Sequence, residues 1–442
     1  MILFENMQLI SWNPPAVTGP LDVVAAGSGK DAPGTATGQA RRILAVGTGL
    51  AARYPDAKRV ASGGYLSPGL VLSHTHLYSA LARGMMVSIK PSKDFAQQLA
   101  HLWWRLDRAI DLPILESSGL AGLADAAFCG VTAVVDHHAG PEAIDGSLSV
   151  LRGAYETIGL RGLLCYETTD RNGMEGARAG IAENVRFARE IDAERAAGRR
   201  PLVDGAIGGH AGFTVGEETL GALGDAVRST GRGIHIHLGE DKYDAVDSRH
   251  RFGADLVARM DAAGCLGPKS IVGHGVWLTE SEVETVNARD AFLAHNARSN
   301  MNNAVGYNAL LARFNNVILG TDGMSADLLE EFKFAVFRHR ETAGPWWPDN
   351  FLACMDRGNR LLERYFATDF IDAVDRADAT DFSGDIDSSI GADEAGASGD
   401  ARSTAAGASA ATRGSGPTGG VRFGAIEAGS PADLVVWDYD PP

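Results

Sequence analysis

The sequence predicts an α/β protein: a (β/α)8 TIM-type barrel with a small β-sandwich domain formed by its N- and C-terminal segments. Three observations lead there. Eight short, near-continuously apolar runs recur between residues 70 and 323, and strands buried on both faces have this texture. Segments with helical spacing, such as 176–198 and 217–231, separate the runs, and such alternation builds parallel strands joined by crossover helices. Most runs finish in His, Asp, Glu or Asn, and a barrel places its site at the C-terminal ends of its strands.

The runs, in order, are 70–76, 132–138, 160–169, 202–210, 233–240, 270–278, 291–300 and 317–323. The first ends in His74-Thr75-His76. Residues i and i+2 of a strand share a face, so both imidazoles can reach one ion. The fifth reads HIHLGE and brings His235 and His237. The more C-terminal His237 is the expected ligand, with His235 behind it as packing or support. Asp322, in GTDG, ends the eighth run and meets the first strand when the barrel closes. Three histidines and one aspartate with open positions suit Zn²⁺, with Fe²⁺ as the alternative. One divalent metal per chain is expected, held by His74, His76, His237 and Asp322.

Such an ion lowers the pKa of bound water toward about 7 and yields hydroxide at neutral pH. Glu240 can carry a proton from that water to a leaving nitrogen. His274, in VGHGVWL, can hydrogen-bond the hydroxide or a developing oxyanion, and Asp322 can act as base while it coordinates. The remaining strand-end groups are Asp136, His137, His138, Glu167, Asp170, His210, Asn296, Arg298 and Asn300. Among them His137, His210, Asn296, Arg298 and Asn300 are the expected substrate contacts. Trp103, Trp104 and Arg105 follow the first strand, where helix packing is a commoner role than a pocket wall.

The ends of the chain read differently. In residues 1–68, MILFENMQLISW and ARRILAVGTG are strand-like and flank a Gly/Ser/Thr loop at 27–38. They need a partner, and ADLVVWDY at 432–439 offers one. The expected division is a small β-domain from 1–68 and 421–442, a barrel from 69–365, and an insert at 366–420. That insert has ten acids against three arginines and few large apolar residues. It cannot bury enough surface to offset the entropy of ordering, so a solvated disordered loop is expected.

Composition narrows the partners. The net charge is −16, which argues against nucleic acid. The four cysteines are scattered without C-x-x-C, which argues against a disulfide framework or thiolate zinc site. Cys129 and Cys165 fall in apolar runs and are expected to be buried. No run approaches a membrane span and the N-terminus has no signal-like pattern, so no membrane partner and a cytoplasmic location are expected. The expected partner is a small-molecule substrate, with homo-oligomers common among barrel enzymes.

Several motifs, in this order, resemble the amidohydrolase superfamily, in its mononuclear deaminase and chlorohydrolase branch: PGLVLSHTHLYSALARG, HIHLGE, VGHGVWL, AHNARSNMNN and LGTDG. More narrowly, LWWRLDRA, DHHAGPEAIDGSL, CYETTDRNG, HNARSNMNNAVGYN and FRHRETAGPWWPD resemble the SsnA-type aminohydrolases associated with selenium metabolism. The likeness covers about 1–365 and 421–440. It implies that the residues matching His74, His76, His237 and Asp322 bind the metal. Those matching Glu240 and His274 assist the hydroxide, and the one matching His210 contacts substrate. The implied reaction is hydrolytic C–N cleavage releasing ammonia from a nitrogen-rich small molecule. Binuclear relatives carry a carbamylated lysine at the end of the fourth strand, and LVDGAIGGHAGFTV contains none, which again points to one metal. Family members continue past the last strand seen here, so the small β-domain is expected to be incomplete. Two other readings remain open: an amidase or hydantoinase-like enzyme opening a cyclic amide, and a catalytically weak metal-binding accessory protein in selenium metabolism.

Overall fold

The structure, a computed structural model, describes residues 1–26, 41–370 and 421–438. The N-terminal segment contributes five strands: β1 (Ile2–Trp12), β2 (Pro15–Ala25), β3 (Ile43–Gly47), β4 (Lys58–Ser62) and β5 (Tyr65–Pro68). Nine more follow: β6 (Leu70–Thr75), β7 (Val131–His138), β8 (Arg161–Tyr166), β9 (Val203–Gly205), β10 (Ile207–Ala211), β11 (Ile234–Leu238), β12 (Ile271–His274), β13 (Phe292–His295) and β14 (Val317–Leu319). β15 (Leu434–Trp437) returns from the C-terminal segment.

The eight predicted runs all form strands, and every neighbouring pair among them is parallel. They assemble as two sheets, β6-β7-β8-β9 and β10-β11-β12-β13-β14. The fourth run is divided at Ala206, yet its backbone bonds both ways: Ala206 N donates to Leu164 O (2.9 Å) and Ile207 N to Gly233 O (3.0 Å). At the other junction Thr321 N and Asp322 N both donate to His74 O, at 2.9 and 3.1 Å. The arrangement is of TIM-barrel type in strand order and direction, with two seams where ladder pairing gives way to a few specific bonds.

Both seams depend on a missing side chain. A Cβ on Gly208 would lie 2.1 Å from the Tyr166 carbonyl oxygen, and one on Gly320 would lie 2.7 Å from His74 Cβ. Leucine, valine and isoleucine together fill nineteen of the 44 positions of β6–β14, because strands covered on both faces exclude polar groups that lack partners. The helix Pro348–Phe366 packs on β6 and β14 outside the second seam, and Arg357 Nη1 donates to Val317 O at 2.6 Å.

The small domain differs from the predicted sandwich. Among the described residues it is one six-stranded mixed sheet, ordered β15-β5-β1-β2-β3 with β4 also on β1. A core of Phe4, Met7, Leu9, Val23, Ile43 and Leu66 covers one face. The predicted strand at 432–439 is β15, antiparallel to β5. Asp433 fastens this sheet to the N-terminal rim of the barrel strands: its carbonyl accepts from Gly69 N (2.8 Å) and its carboxylate pairs with Arg161 (3.0 Å). The site therefore sits at the opposite, C-terminal rim.

The last helix runs one residue past the boundary expected at 365. The last helix includes Phe366, and Phe366 and Phe370 are buried with Phe423 beneath the Arg161 guanidinium. The rest of the expected insert, and the expected loop at 27–38, lie outside the described residues. Cys129 is half-buried, not buried as its apolar run suggested, while Cys165 is buried. No helix among the described residues is long and apolar enough to cross a membrane.

Replacing Gly208 by Ala should lower stability by about 2 kcal/mol or more, because the added methyl meets backbone that no rotamer change can clear. Urea unfolding of the variant measures this; an unchanged midpoint would show that the strands are not held this close.

Candidate metal centre and active site

Ligand-type atoms of His74, His76, His237 and Asp322 all lie within 4.8 Å of one another. His74 Nε2 is 3.0 Å and His76 Nε2 2.9 Å from the same Asp322 oxygen. The His237 ring stands 5.0 Å from that of His74 and 5.3 Å from that of His76, centroid to centroid. The four come from β6 and the turn after it, from β11, and from the residue pair that bonds β14 to His74.

Hydrogen bonds select the ring nitrogen that faces inward. His76 Nδ1 donates to His137 O at 2.6 Å, and His237 Nδ1 donates to His210 O at 2.7 Å. A carbonyl can only accept, so both rings carry hydrogen on Nδ1 and turn Nε2 inward, where a cation would take the place of any proton. His74 reaches the same state through side chains. Cys165 donates to Asp136 O at 3.6 Å, and its sulfur faces His235 Nδ1 at 3.7 Å. His235 Nε2 then accepts from His74 Nδ1 at 2.8 Å. His235 is thus the support expected of it, and three lone pairs and a carboxylate converge as a divalent cation requires.

Electrostatics agree. His74 is driven down to about 3 by burial. Burial also opposes a charge on His76, but hydrogen bonding and attraction to Asp322 override it and raise that imidazole to about 9. Burial would raise Asp322, yet His274, His74 and His76 hold its carboxyl well below the usual range. Without a cation, then, one proton is held between His76 and Asp322. His274 and Asp322 also have left-handed backbones (φ 69° and 53°), a strain of about 1–3 kcal/mol per residue that is typical of functional positions.

Glu240 and His274 stand beside this centre. His274 Nε2 is 3.6 Å from Glu240 Oε2 and 3.8 Å from Asp322 Oδ2, and it has no hydrogen-bond partner within the protein. Asn300 Oδ1 lies 2.8 Å from His274 Nδ1 and accepts its hydrogen, which turns Nε2 inward. Glu240 is raised to about 7, chiefly by burial, with Asp322 adding to the shift and His274 opposing it. A divalent cation on Asp322 would draw it down again.

A cavity with an accessible volume of about 80 Å³ opens on the centre. His76, His237, Asp322 and Glu240 lie at its base, and Phe95, Leu99, Trp103, Trp104 and Phe213 form an apolar wall. The two tryptophans are therefore pocket wall, against the commoner expectation of helix packing alone. Of the expected substrate contacts, His210 lines the cavity, and the other four do not. His137 sits behind it, with Nε2 donating to the carbonyls of Gly209 and His235 at 3.1 Å each. Asn300 and Asn296 lie against His274, the latter at 3.5 Å. Arg298 spends its donors on Glu331, Glu330, Ser325 and Asp327 O, so it ties the helix Leu328–Glu341 to the end of β13 and does not face the substrate space.

The other strand-end groups divide in the same way. Glu167 lines the cavity. Asp170 caps the helix Glu217–Thr230 through Gly216 N and Thr219 Oγ1, Asp136 accepts from Leu77 N, and His138 packs between Tyr78 and Tyr166. Sequence reading missed Ser299, which donates to Asp322 Oδ2 at 2.5 Å, and Asn303, which donates to Glu240 at 3.3 Å. Their spacing of four within HNARSNMNN, one helical turn, was the available signal.

Residues 65–355 match the amidohydrolase family. This chain belongs to the amidohydrolase family. Two archaeal relatives, from Thermococcus sibiricus and Pyrococcus furiosus, bear the name 5-methylthioadenosine/S-adenosylhomocysteine deaminase. They are each 30% identical, over 287 and 282 residues, or 63% and 62% of this chain. Each alignment spans 64% of the relative's own length, just under two thirds. Among solved structures, an adenosine deaminase from Xanthomonas campestris with bound zinc superposes with a TM-score of 0.71 at 19% identity, over 98% of this chain and 83% of that one. At that identity the likeness concerns the fold. Together with the His/Asp donor set, it supports a divalent metal in this amidohydrolase.

Metal uptake must displace the proton held by His76. That imidazole is raised above its ordinary 6.5, so its pairing stabilises the metal-free chain fully below pH 6.5 and is lost as pH rises through about 9. Metal affinity should accordingly climb by about tenfold per pH unit across this window and level off above it. Calorimetry of the metal-free protein at pH 7.5, in buffers of different ionisation heat, should record release of about one proton; no release would contradict the His76–Asp322 pairing.

Proposed function

We propose that this amidohydrolase is a metal-dependent hydrolytic deaminase that releases ammonia from an amino-substituted heterocycle. The observation that carries the reading is the convergence of His74, His76, His237 and Asp322 at the base of a cavity, with Glu240 and His274 beside them. The donor set fits one Zn²⁺, with Fe²⁺ as the alternative. A divalent ion held by these four residues would supply a water acidified toward a pKa of about 7 and a Lewis acid for the attacked carbon's ring nitrogen.

The protein groups account for the proton transfers. Glu240 takes the proton of the attacking water on a carboxylate oxygen and returns it to the leaving nitrogen. His274, oriented by Asn300, presents Nε2 toward the attacking oxygen. One C–O bond forms, one C–N bond breaks, and water and the amine become a carbonyl tautomer and ammonia. The apolar and aromatic wall around Trp103, Trp104 and Phe213 suits a planar ring, and it excludes bulk water. The names of the two relatives support adenine nucleosides such as 5-methylthioadenosine as first candidates. The finer likeness to SsnA-type aminohydrolases keeps a selenium-associated physiological role within this reading.

The test is ammonia release by metal-loaded protein across adenine nucleosides, aminopurines, pterins and triazines. One class should turn over, and Glu240→Gln should lose about 10²–10⁴-fold in kcat while keeping its metal. Metal-loaded protein that frees no ammonia but opens a cyclic amide would replace this reading with ring-opening hydrolysis. Full activity in Glu240→Gln would remove that residue from the mechanism.

A further inference from the structure

Few contacts of the protein orient Glu240. It follows Gly239, whose left-handed backbone (φ 61°) turns the chain just past the end of β11. Its side chain is 12% exposed and lines the cavity. Among the described residues its carboxylate has one hydrogen-bond donor, Asn303, whose Nδ2 reaches Oε1 at 3.3 Å. The other oxygen, Oε2, is the one that lies 3.6 Å from His274 Nε2. The last side-chain torsion of a glutamate is broad and two-fold, so its oxygens exchange places readily unless one of them is held. A donor on one oxygen therefore decides which oxygen is left for proton transfer.

The Asn303 amide is itself fixed. A carboxylate ion only accepts, so Nδ2 is the atom that faces Glu240. The same nitrogen donates to Ser299 Oγ at 3.3 Å, and Ser299 passes its own hydrogen to Asp322 Oδ2. On the other side Asn303 Oδ1 accepts from Gln98 Nε2 at 2.9 Å and from Asn302 Nδ2 at 3.2 Å. The bonds run in one direction: Gln98 to Asn303, Asn303 to Ser299 and Glu240, Ser299 to Asp322. The helix Ala297–Asn302 ends at Asn303, and Ala304 turns the chain in the left-handed conformation (φ 53°) where glycine is the usual residue. Such strain collects at functional positions.

Gln98 reaches Asn303 from the cavity wall. It ends the short helix Phe95–Gln98, and the π-helical turn Leu99–Trp103 follows directly. Phe95, Leu99, Trp103 and Trp104 of this segment form the apolar wall, and Phe95 and Leu99 pack with Val276 and Val305. The Gln98–Asn303 bond thus joins the surface that would meet a substrate ring to the carboxylate that would move its proton.

We propose that Asn303 is a positioning residue that holds Glu240 Oε1 and reserves Oε2 for proton transfer, and that Gln98 ties this setting to the aromatic wall. The use made of Oε2 rests on the deaminase reading; the orientation of the carboxylate does not. The competing role for Asn303 is to end its helix. That task falls to its backbone N–H, which donates to Ser299 O at 2.8 Å, and it does not need the side chain.

Crystal structures of zinc-loaded wild type, Asn303→Ala and Gln98→Ala test this. The infrared carboxylate bands of Glu240, assigned by difference from Glu240→Gln, give the same information in solution. The wild type should show one Glu240 conformer with Oε1 on Asn303. Asn303→Ala should show the carboxylate rotated or in several conformers, with shifted and broadened bands, and Gln98→Ala should show a smaller change of the same kind. On any substrate that yields ammonia, Asn303→Ala should lower kcat by about 10²-fold with KM little changed. An unmoved Glu240 with unaltered bands in Asn303→Ala would overturn the positioning role, and the same result in Gln98→Ala alone would overturn the link to the wall. A failure of every form, wild type included, to release ammonia would count against the deaminase reading and leave the orientation result standing.

Discussion

The site depends on a junction of backbone. Strands β14 and β6 are not joined by a ladder at their C-terminal ends. Instead the His74 carbonyl accepts from both Thr321 and Asp322. That pair of hydrogen bonds to one oxygen accompanies the left-handed conformation of Asp322, whose carboxylate lies against the His74 and His76 imidazoles. The bonds that join β14 to β6 and the convergence of the four candidate ligands are parts of one arrangement. The lack of a side chain at Gly320, against His74 Cβ, is the steric condition for it.

Around that junction, hydrogen is distributed so that lone pairs point inward. Carbonyls of β7 and β10 take the Nδ1 hydrogens of His76 and His237, His235 takes that of His74, and Asn300 takes that of His274. Each ligand is thereby held in one tautomer by a group from a neighbouring strand. In the low dielectric at the strand ends such an arrangement is costly, and a divalent cation bound there would couple its binding to local stability.

Two kinds of polar residue therefore coexist at the rim. Some face the cavity, and others, such as Arg298, Asp170 and Asp136, secure the helices and turns that follow the strands. A residue at a strand end becomes a contact or a support according to which partner its donors meet first. Arg298 meets two glutamates of the next helix, so its charge is spent before it can reach substrate.

Much of this was legible in the amino-acid sequence alone. The eight runs, their parallel order, the partner strand at 432–439 and the quartet His74, His76, His237 and Asp322 follow from apolar continuity, from period-2 spacing and from the place of polar residues at strand ends. These are local properties, and the burial of both strand faces makes them strong. Other features were decided only by tertiary structure. They include the two seams, the single mixed sheet in place of a sandwich, the pocket roles of Trp103 and Trp104, and the supporting roles of His137, Asn296, Arg298 and Asn300. Each depends on which groups from distant segments come within hydrogen-bond reach, and a strand-end residue carries no local mark of the partner that it will meet.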